Sequence, residues 1–230
     1  MKFHGWARTS LIDFPGEIAT VLFTAGCNFR CPMCHNAELV LHPNRLPEIR
    51  EAELWAFLEK RAGLVTGVVV TGGEPTLQSD LPDFLRRVRA LGYAVKLDTN
   101  GYRPQVLETL LAGGLVDYVA MDVKGPPEGY AALAGLPEID LERVARSREL
   151  LIGGPIPYEF RTTVVPGLLA EPEVEAIARW IAGAARYVLQ QFRAQGTLDP
   201  ALEGRAPYPL ARLEAMAARA RPFVHEVQVR

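Results

Sequence analysis

Every cysteine of the chain lies in one stretch, Gly26-Cys27-Asn28-Phe29-Arg30-Cys31-Pro32-Met33-Cys34-His35-Asn36. Three thiols in the pattern C-x-x-x-C-x-x-C form a compact array of soft metal ligands. A structural zinc site wants four ligands closing a tetrahedron, and a cubane iron–sulfur cluster normally wants four thiolates. Here there are three. The reading that uses the shortfall is a [4Fe-4S] cluster on Cys27, Cys31 and Cys34 with one iron left open for a small molecule to chelate. Three other readings stay open at this point. The thiols could be buried and inert, since free cysteine often packs as a small apolar residue. Zinc could take His35 as a fourth ligand. A disulfide with a spare thiol fits least, because an odd count suits a secreted scaffold poorly.

Further polar clusters interrupt an otherwise apolar pattern. In Thr71-Gly72-Gly73-Glu74-Pro75, two glycines let the backbone approach a ligand closely, and Glu74 offers a carboxylate to an ammonium group. An ordinary turn is the plain alternative. Asp98-Thr99-Asn100-Gly101 and Asp122-Val123-Lys124 each put an acid at the end of an apolar run. Buried charge is costly, and two such acids on neighbouring strands repel unless a cation sits between them. An Asp122–Lys124 surface pair is the simpler account. Arg161 lies inside Tyr158-Glu159-Phe160-Arg161-Thr162-Thr163-Val164-Val165, where its planar fork suits a carboxylate or ribose hydroxyls. Gln190 or Gln191 could contact a nucleoside or be satisfied by backbone. Asp13, in Thr9-Ser10-Leu11-Ile12-Asp13-Phe14-Pro15-Gly16, could receive a partner's backbone or simply close a turn.

The elements that must position these residues show as short apolar runs: 18–24, 68–71, 94–98, 118–122, 158–165 and 187–192. Such runs read as buried parallel strands. Helical patterns lie between them at 51–62, 80–91, 103–112, 138–152 and 171–183. Strand–helix alternation gives a parallel sheet with right-handed crossovers. Six such units make an α/β fold, a partial (β/α)6 TIM-like barrel. A helix around 207–220 and a strand from Phe223 to Val229 extend it. The expectation is one domain over 1–230, with a core of about 17–192 and an extension over 193–230. In barrels of this kind chemistry sits at the C-terminal ends of strands, and each cluster above falls at such an end.

The bulk properties are permissive. At 230 residues the chain suits one large domain, and 49% hydrophobic with 23% charged residues is ordinary for a globular protein. A net charge of -2 gives no electrostatic case for nucleic acid or an anionic membrane. No apolar run approaches the ~20 residues of a membrane span, and the N-terminus lacks a signal-peptide core. The expected location is cytoplasmic, where thiols stay reduced.

Taken together and in order, these motifs resemble the radical S-adenosylmethionine (SAM) enzymes. His35-Asn36 after the last cysteine, and Val164-Val165-Pro166-Gly167, resemble the activases of glycyl radical enzymes. They are most like the activase of anaerobic ribonucleoside-triphosphate reductase, and next that of pyruvate formate-lyase. The resemblance spans roughly residues 9 to 192. It implies a [4Fe-4S] cluster on Cys27, Cys31 and Cys34 whose open iron is chelated by SAM. It implies that Gly72, Gly73 and Glu74 hold SAM's amino group, that Lys124 faces its carboxylate, and that Arg161 and His35 lie toward the cofactor. Met33 stands where these enzymes commonly carry an aromatic residue, so only its backbone is carried over, toward the adenine. Asp98, Thr99 and Asp122 correspond to a monovalent-cation site. The implied reaction is one-electron cleavage of SAM to methionine and a 5′-deoxyadenosyl radical, which takes a hydrogen atom from a glycine of a partner glycyl radical enzyme. An electron donor such as flavodoxin or ferredoxin is implied as a second partner. Two rivals remain: a radical SAM enzyme acting on a small molecule, like 7-carboxy-7-deazaguanine synthase, and a non-catalytic metal-binding module.

Overall fold

The computed structural model describes residues 1–230. The chain is an α/β protein with eight strands that follow chain order in one open, mostly parallel sheet. It divides into two compact units: 1–28, 38–99 and 103–119 form the first, and 29–37, 100–102 and 120–230 form the second.

In the first unit, β1 (Gly5–Ser10) pairs antiparallel with β2 (Ala19–Thr24), which runs parallel to β3 (Gly67–Gly72), itself parallel to β4 (Ala94–Thr99). Val68, Val69 and Val70 on β3 are fully buried, as expected of a β-branched strand covered on both faces. A short α1 (Ala37–Leu41) spans the boundary between the units, and α2 (Glu51–Arg61), α3 (Leu81–Ala90) and α4 (Pro104–Ala112) belong to the first. Each of the longer helices buries one stripe: Leu54, Trp55 and Leu58 on α2; Leu81, Phe84, Leu85 and Val88 on α3. That is the 3.6-residue periodicity of a helix packed on a sheet. Proline in the first turn of α3 and α4 costs no hydrogen bond there.

The residues of β5 (Tyr118–Asp122) are shared between the two units. The second unit then carries α5 (Tyr130–Ala134), α6 (Leu141–Ile152), β6 (Tyr158–Val164), α7 (Glu171–Trp180), β7 (Arg186–Gln191), α8 (Leu210–Ala220) and β8 (Glu226–Val229). β6, β7 and β8 are parallel neighbours. The first turn of α7 is fixed by the Ala170 N–H, which donates to Glu173 Oε2 at 2.8 Å. A buried carboxylate, Glu159, is closed off by a two-pronged contact with Arg230, at 3.1 and 3.0 Å.

The six expected strands correspond to β2 through β7, and the expected extension to α8 and β8. Three elements were not anticipated: β1, α1 and α5. No helix is long and apolar enough to cross a membrane.

Candidate functional site

In the first unit, parallel register places Thr24 at the end of β2 beside Gly72 at the end of β3. The backbone then ties the two following turns together. The Gly73 N–H donates to Thr24 O and the Glu74 N–H donates to Gly26 O, each at 2.8 Å. Gly26 immediately precedes Cys27, so the turn bearing Glu74 anchors the start of the cysteine loop. This close approach explains both glycines. A Cβ on Gly72, whose φ is +113, would lie 2.4 Å from Thr24 O, and one on Gly73 would lie 2.0 Å from Gly26 O. Their smallness is required by a neighbouring chain segment, a reason additional to any ligand.

Glu74 is 1% exposed. Its Oε1 accepts three hydrogen bonds: from Thr76 N at 3.1 Å, Thr76 Oγ1 at 2.5 Å and Thr99 Oγ1 at 2.7 Å. These three donors are uncharged and orient the carboxylate. Thr99 therefore links the end of β4 to the Glu74 turn. Asp98, on the same strand, meets Lys96 Nζ at 3.2 Å, with both side chains largely buried. Lys96 also donates to the Asp13 carbonyl. The Asp13 carboxylate itself closes a local turn, accepting from Ser10 Oγ at 2.5 Å.

In the second unit, the remainder of the cysteine loop is held by its surroundings. The Cys34 N–H donates to Cys31 O at 3.0 Å, Arg30 N–H to Ala134 O at 2.8 Å, and Asp199 N–H to Pro32 O at 2.9 Å. Gly135, with φ +68, lies so close to Arg30 that a Cβ would come within 1.9 Å of its carbonyl oxygen. Phe29 is buried edge-on against Tyr102, at 5.5 Å, and Met33 is buried. His35 Nε2 sits 2.7 Å from the Arg193 carbonyl, and the ring stacks on Phe192. A carbonyl only accepts, so Nε2 carries the proton.

Cys31 is 7% exposed. Burial pushes its thiol pKa up, while Lys124 works the other way. Lys124 donates to Asp122 Oδ2 at 2.9 Å, and Arg161 Nε donates to Asp122 Oδ1 at 2.8 Å. Burial raises the Asp122 pKa, but Arg161 and Lys124 more than offset this and hold it at about 2. Lys124 loses some proton affinity to burial and regains more from Asp122, so its pKa lies above the ordinary lysine value. Hydrogen bonds link the strand ends around this trio. Val123 N–H donates to Arg161 O at 2.8 Å, Thr162 Oγ1 to Val123 O at 2.7 Å, and Tyr187 OH to Thr162 Oγ1 at 2.9 Å.

The geometry thus joins Gly72, Gly73, Glu74 and Thr99 in one unit and Asp122, Lys124 and Arg161 in the other. It also gives the two acids among the three candidate cation ligands, Asp98, Thr99 and Asp122, side-chain cations as partners: Lys96 for Asp98, and Lys124 with Arg161 for Asp122. Gln191 Nε2 donates to Tyr208 O at 2.9 Å, which satisfies it by backbone. Lys96 escaped the sequence reading, although lysine two positions before an acid on a strand shares its face. Tyr130 escaped it too. It is fully buried, edge-on to Trp180 at 5.8 Å, and its hydroxyl completes no hydrogen bond.

Known proteins resemble this chain. The profile of the radical SAM superfamily matches residues 21–181. The "Putative glycyl-radical enzyme activating enzyme MJ1227" of Methanocaldococcus jannaschii is 32% identical over 98% of this chain and 94% of its own length. The pyruvate formate-lyase-activating enzyme of Clostridium pasteurianum is 31% identical over 58% of this chain and 57% of its own. Among solved structures, Streptococcus suis SuiB has the same fold, with a TM-score of 0.64 at 16% identity. That match covers 90% of this chain but only 48% of SuiB. A profile match through most of the chain, with an end-to-end relative, places the protein: it belongs to the radical SAM superfamily.

Proposed function

We propose that this chain is a glycyl-radical-enzyme activase whose partner is an anaerobic ribonucleotide reductase, with residues 1–230 acting as one catalytic domain. The observation that carries the proposal is the end-to-end similarity, 32% over 98% of the chain, to a protein named as an activating enzyme of that kind. The donor set fits the implied cofactor: three cysteines and no fourth, with Lys124 beside buried Cys31 opposing part of the rise in thiol pKa that burial causes.

Cys27, Cys31 and Cys34 would hold a [4Fe-4S] cluster. When bound, that cluster and SAM supply the radical chemistry, reductive cleavage of SAM followed by removal of a hydrogen atom from a glycine. The chain's own residues bind and orient. Glu74, fixed by Thr76 and Thr99, receives the ammonium group of SAM's amino-acid part. Lys124 and Arg161 present positive charge to its carboxylate or to ribose oxygens. The Met33 backbone lies toward the adenine. His35 holds the loop after the last cysteine through the Arg193 carbonyl, and buried Phe29 and Met33 help keep water out. An electron donor such as flavodoxin or ferredoxin completes the set of partners.

The test is electron paramagnetic resonance on anaerobically reconstituted, reduced protein with SAM, with and without anaerobic ribonucleotide reductase. The expected result is a cluster signal altered by SAM and a new organic doublet on the reductase. An altered cluster signal with no doublet on any glycyl radical enzyme would retain the family chemistry and overturn the activase assignment.

A further inference from the structure

Asp122 stands at the end of β5, where the family resemblance puts a ligand of a monovalent cation. Both of its oxygens are already taken by side-chain cations, Arg161 Nε on Oδ1 at 2.8 Å and Lys124 Nζ on Oδ2 at 2.9 Å. One negative charge faces two positive ones, so an alkali ion brought to this carboxylate would meet net repulsion. The two contacts also do different things. A bond to Nε fixes the plane of the guanidinium. Lysine has no plane to fix and a flexible stem, so a second anchor on the same carboxylate is what sets where its ammonium sits. One backbone bond, Val123 N–H to Arg161 O, and the side-chain bonds of Thr162 and Tyr187 tie together the strand ends that carry the trio, as a positioning group needs.

We infer that Asp122 is a positioning residue that sets Lys124 and Arg161 as a pair for the carboxylate of an amino-acid ligand, and that it is not a ligand of an alkali cation. The inference rests on the SAM-site reading above.

The experiment measures SAM affinity on anaerobically reconstituted wild type, Asp122→Asn, Lys124→Ala and the double variant. Each is assayed in potassium, sodium and tetramethylammonium chloride, and iron content and the SAM-induced change in the reduced cluster's spectrum are recorded alongside. Wild-type affinity should agree within about twofold across the three salts, because no alkali ion takes part. Asp122→Asn should keep its iron yet bind SAM about tenfold or more weakly in every salt, the usual scale for losing a charged hydrogen-bond partner. In the Lys124→Ala background the same change should cost much less, because positioning acts through the residue positioned. Asp122→Glu, which keeps the charge, should recover part of the affinity.

Wild-type binding that collapses in tetramethylammonium and returns with potassium or sodium, with that response absent from Asp122→Asn, would overturn the inference. So would simple additivity of the two changes. If Asp122→Asn fails to load iron, the wild-type salt series and Asp122→Glu decide. A wild type that loads iron but binds no SAM in any salt removes the underlying reading, a result distinct from either.

Discussion

Two carboxylates at strand ends, one in each unit, are satisfied in opposite ways. Glu74 is held by uncharged donors, two from Thr76 and one from Thr99. Asp122 is held by two full cations, Lys124 and Arg161. Neutral donors such as these aim a carboxylate. Two cations on one carboxylate leave positive charge over. A ligand with an ammonium and a carboxylate on one carbon needs one environment of each kind. The proposed SAM reading assigns the ammonium to the Glu74 network and the carboxylate to the Asp122 network.

The hardest test of the Glu74 side is Gly73→Ala. The new Cβ would start 2.0 Å from the Gly26 carbonyl, which is fixed backbone. Relief requires the Glu74 turn and the segment before Cys27 to part. We expect a destabilisation of about 1–3 kcal/mol, typical of forced overpacking, and a sharp fall in iron bound per chain on reconstitution. Denaturant unfolding of the apoprotein and iron analysis check the two effects separately. Normal iron uptake would show that the turn does not anchor the cysteine loop.

The Asp122 side is tested by pH. Its pKa is lowered from the ordinary 3.8 to about 2, with burial opposing and the two cations prevailing. A depressed acid stabilises the fold above its unfolded pKa and loses that contribution as pH falls through the folded one. The pair is therefore fully effective above about pH 4 and fades toward pH 2, worth about 2 kcal/mol at this partial burial. The stability advantage of wild type over Asp122→Asn, measured by urea unfolding of the apoprotein, should be flat from pH 7 to 5 and shrink below 4. An advantage that shrinks between pH 7 and 5 would mean the two cations do not hold the acid down.

How far the sequence anticipated this arrangement differs between elements. β2 through β7 were legible because β-branched runs on buried strands leave few alternatives. β1 was not. Gly-Trp-Ala-Arg-Thr-Ser has no fully buried position, so an edge strand paired on one side left no alternating apolar signal. The short α5 lies between Gly129 and Gly135, both with positive φ, and five residues are too few for a period. The site motifs were legible as types but not as partners. Glu74, Asp122, Lys124 and Arg161 stood out because charge at the end of an apolar run is unusual. That Thr99 turns to Glu74 depends on side-chain directions fixed only when strands pair, whereas the Lys96–Asp98 contact follows from their shared face on one strand. Residues 193–207 gave no periodic pattern because they form no strand and only one short helical turn; individual contacts hold them, such as Thr197 N–H to Glu203, Arg205 to the Pro166 carbonyl and Asp199 N–H to Pro32 O.

The finest distinction between the two networks is Thr99→Val. It removes one uncharged donor from Glu74 Oε1 while nearly keeping the side chain's shape, and both Thr76 donors stay. Loss of one neutral hydrogen bond in a buried site should cost about 1 kcal/mol of stability. The remaining two donors keep the carboxylate in place, so SAM affinity should fall only about fivefold, by the same energy. The effect should not respond to exchange of potassium for tetramethylammonium if the Thr99 hydroxyl serves Glu74 and no alkali ion. A large loss of affinity that appears only without alkali ions would assign the hydroxyl to a cation instead. Neutral aiming on the Glu74 side would then have to rest on Thr76, whose amide and hydroxyl both come from the residue two positions along the same turn.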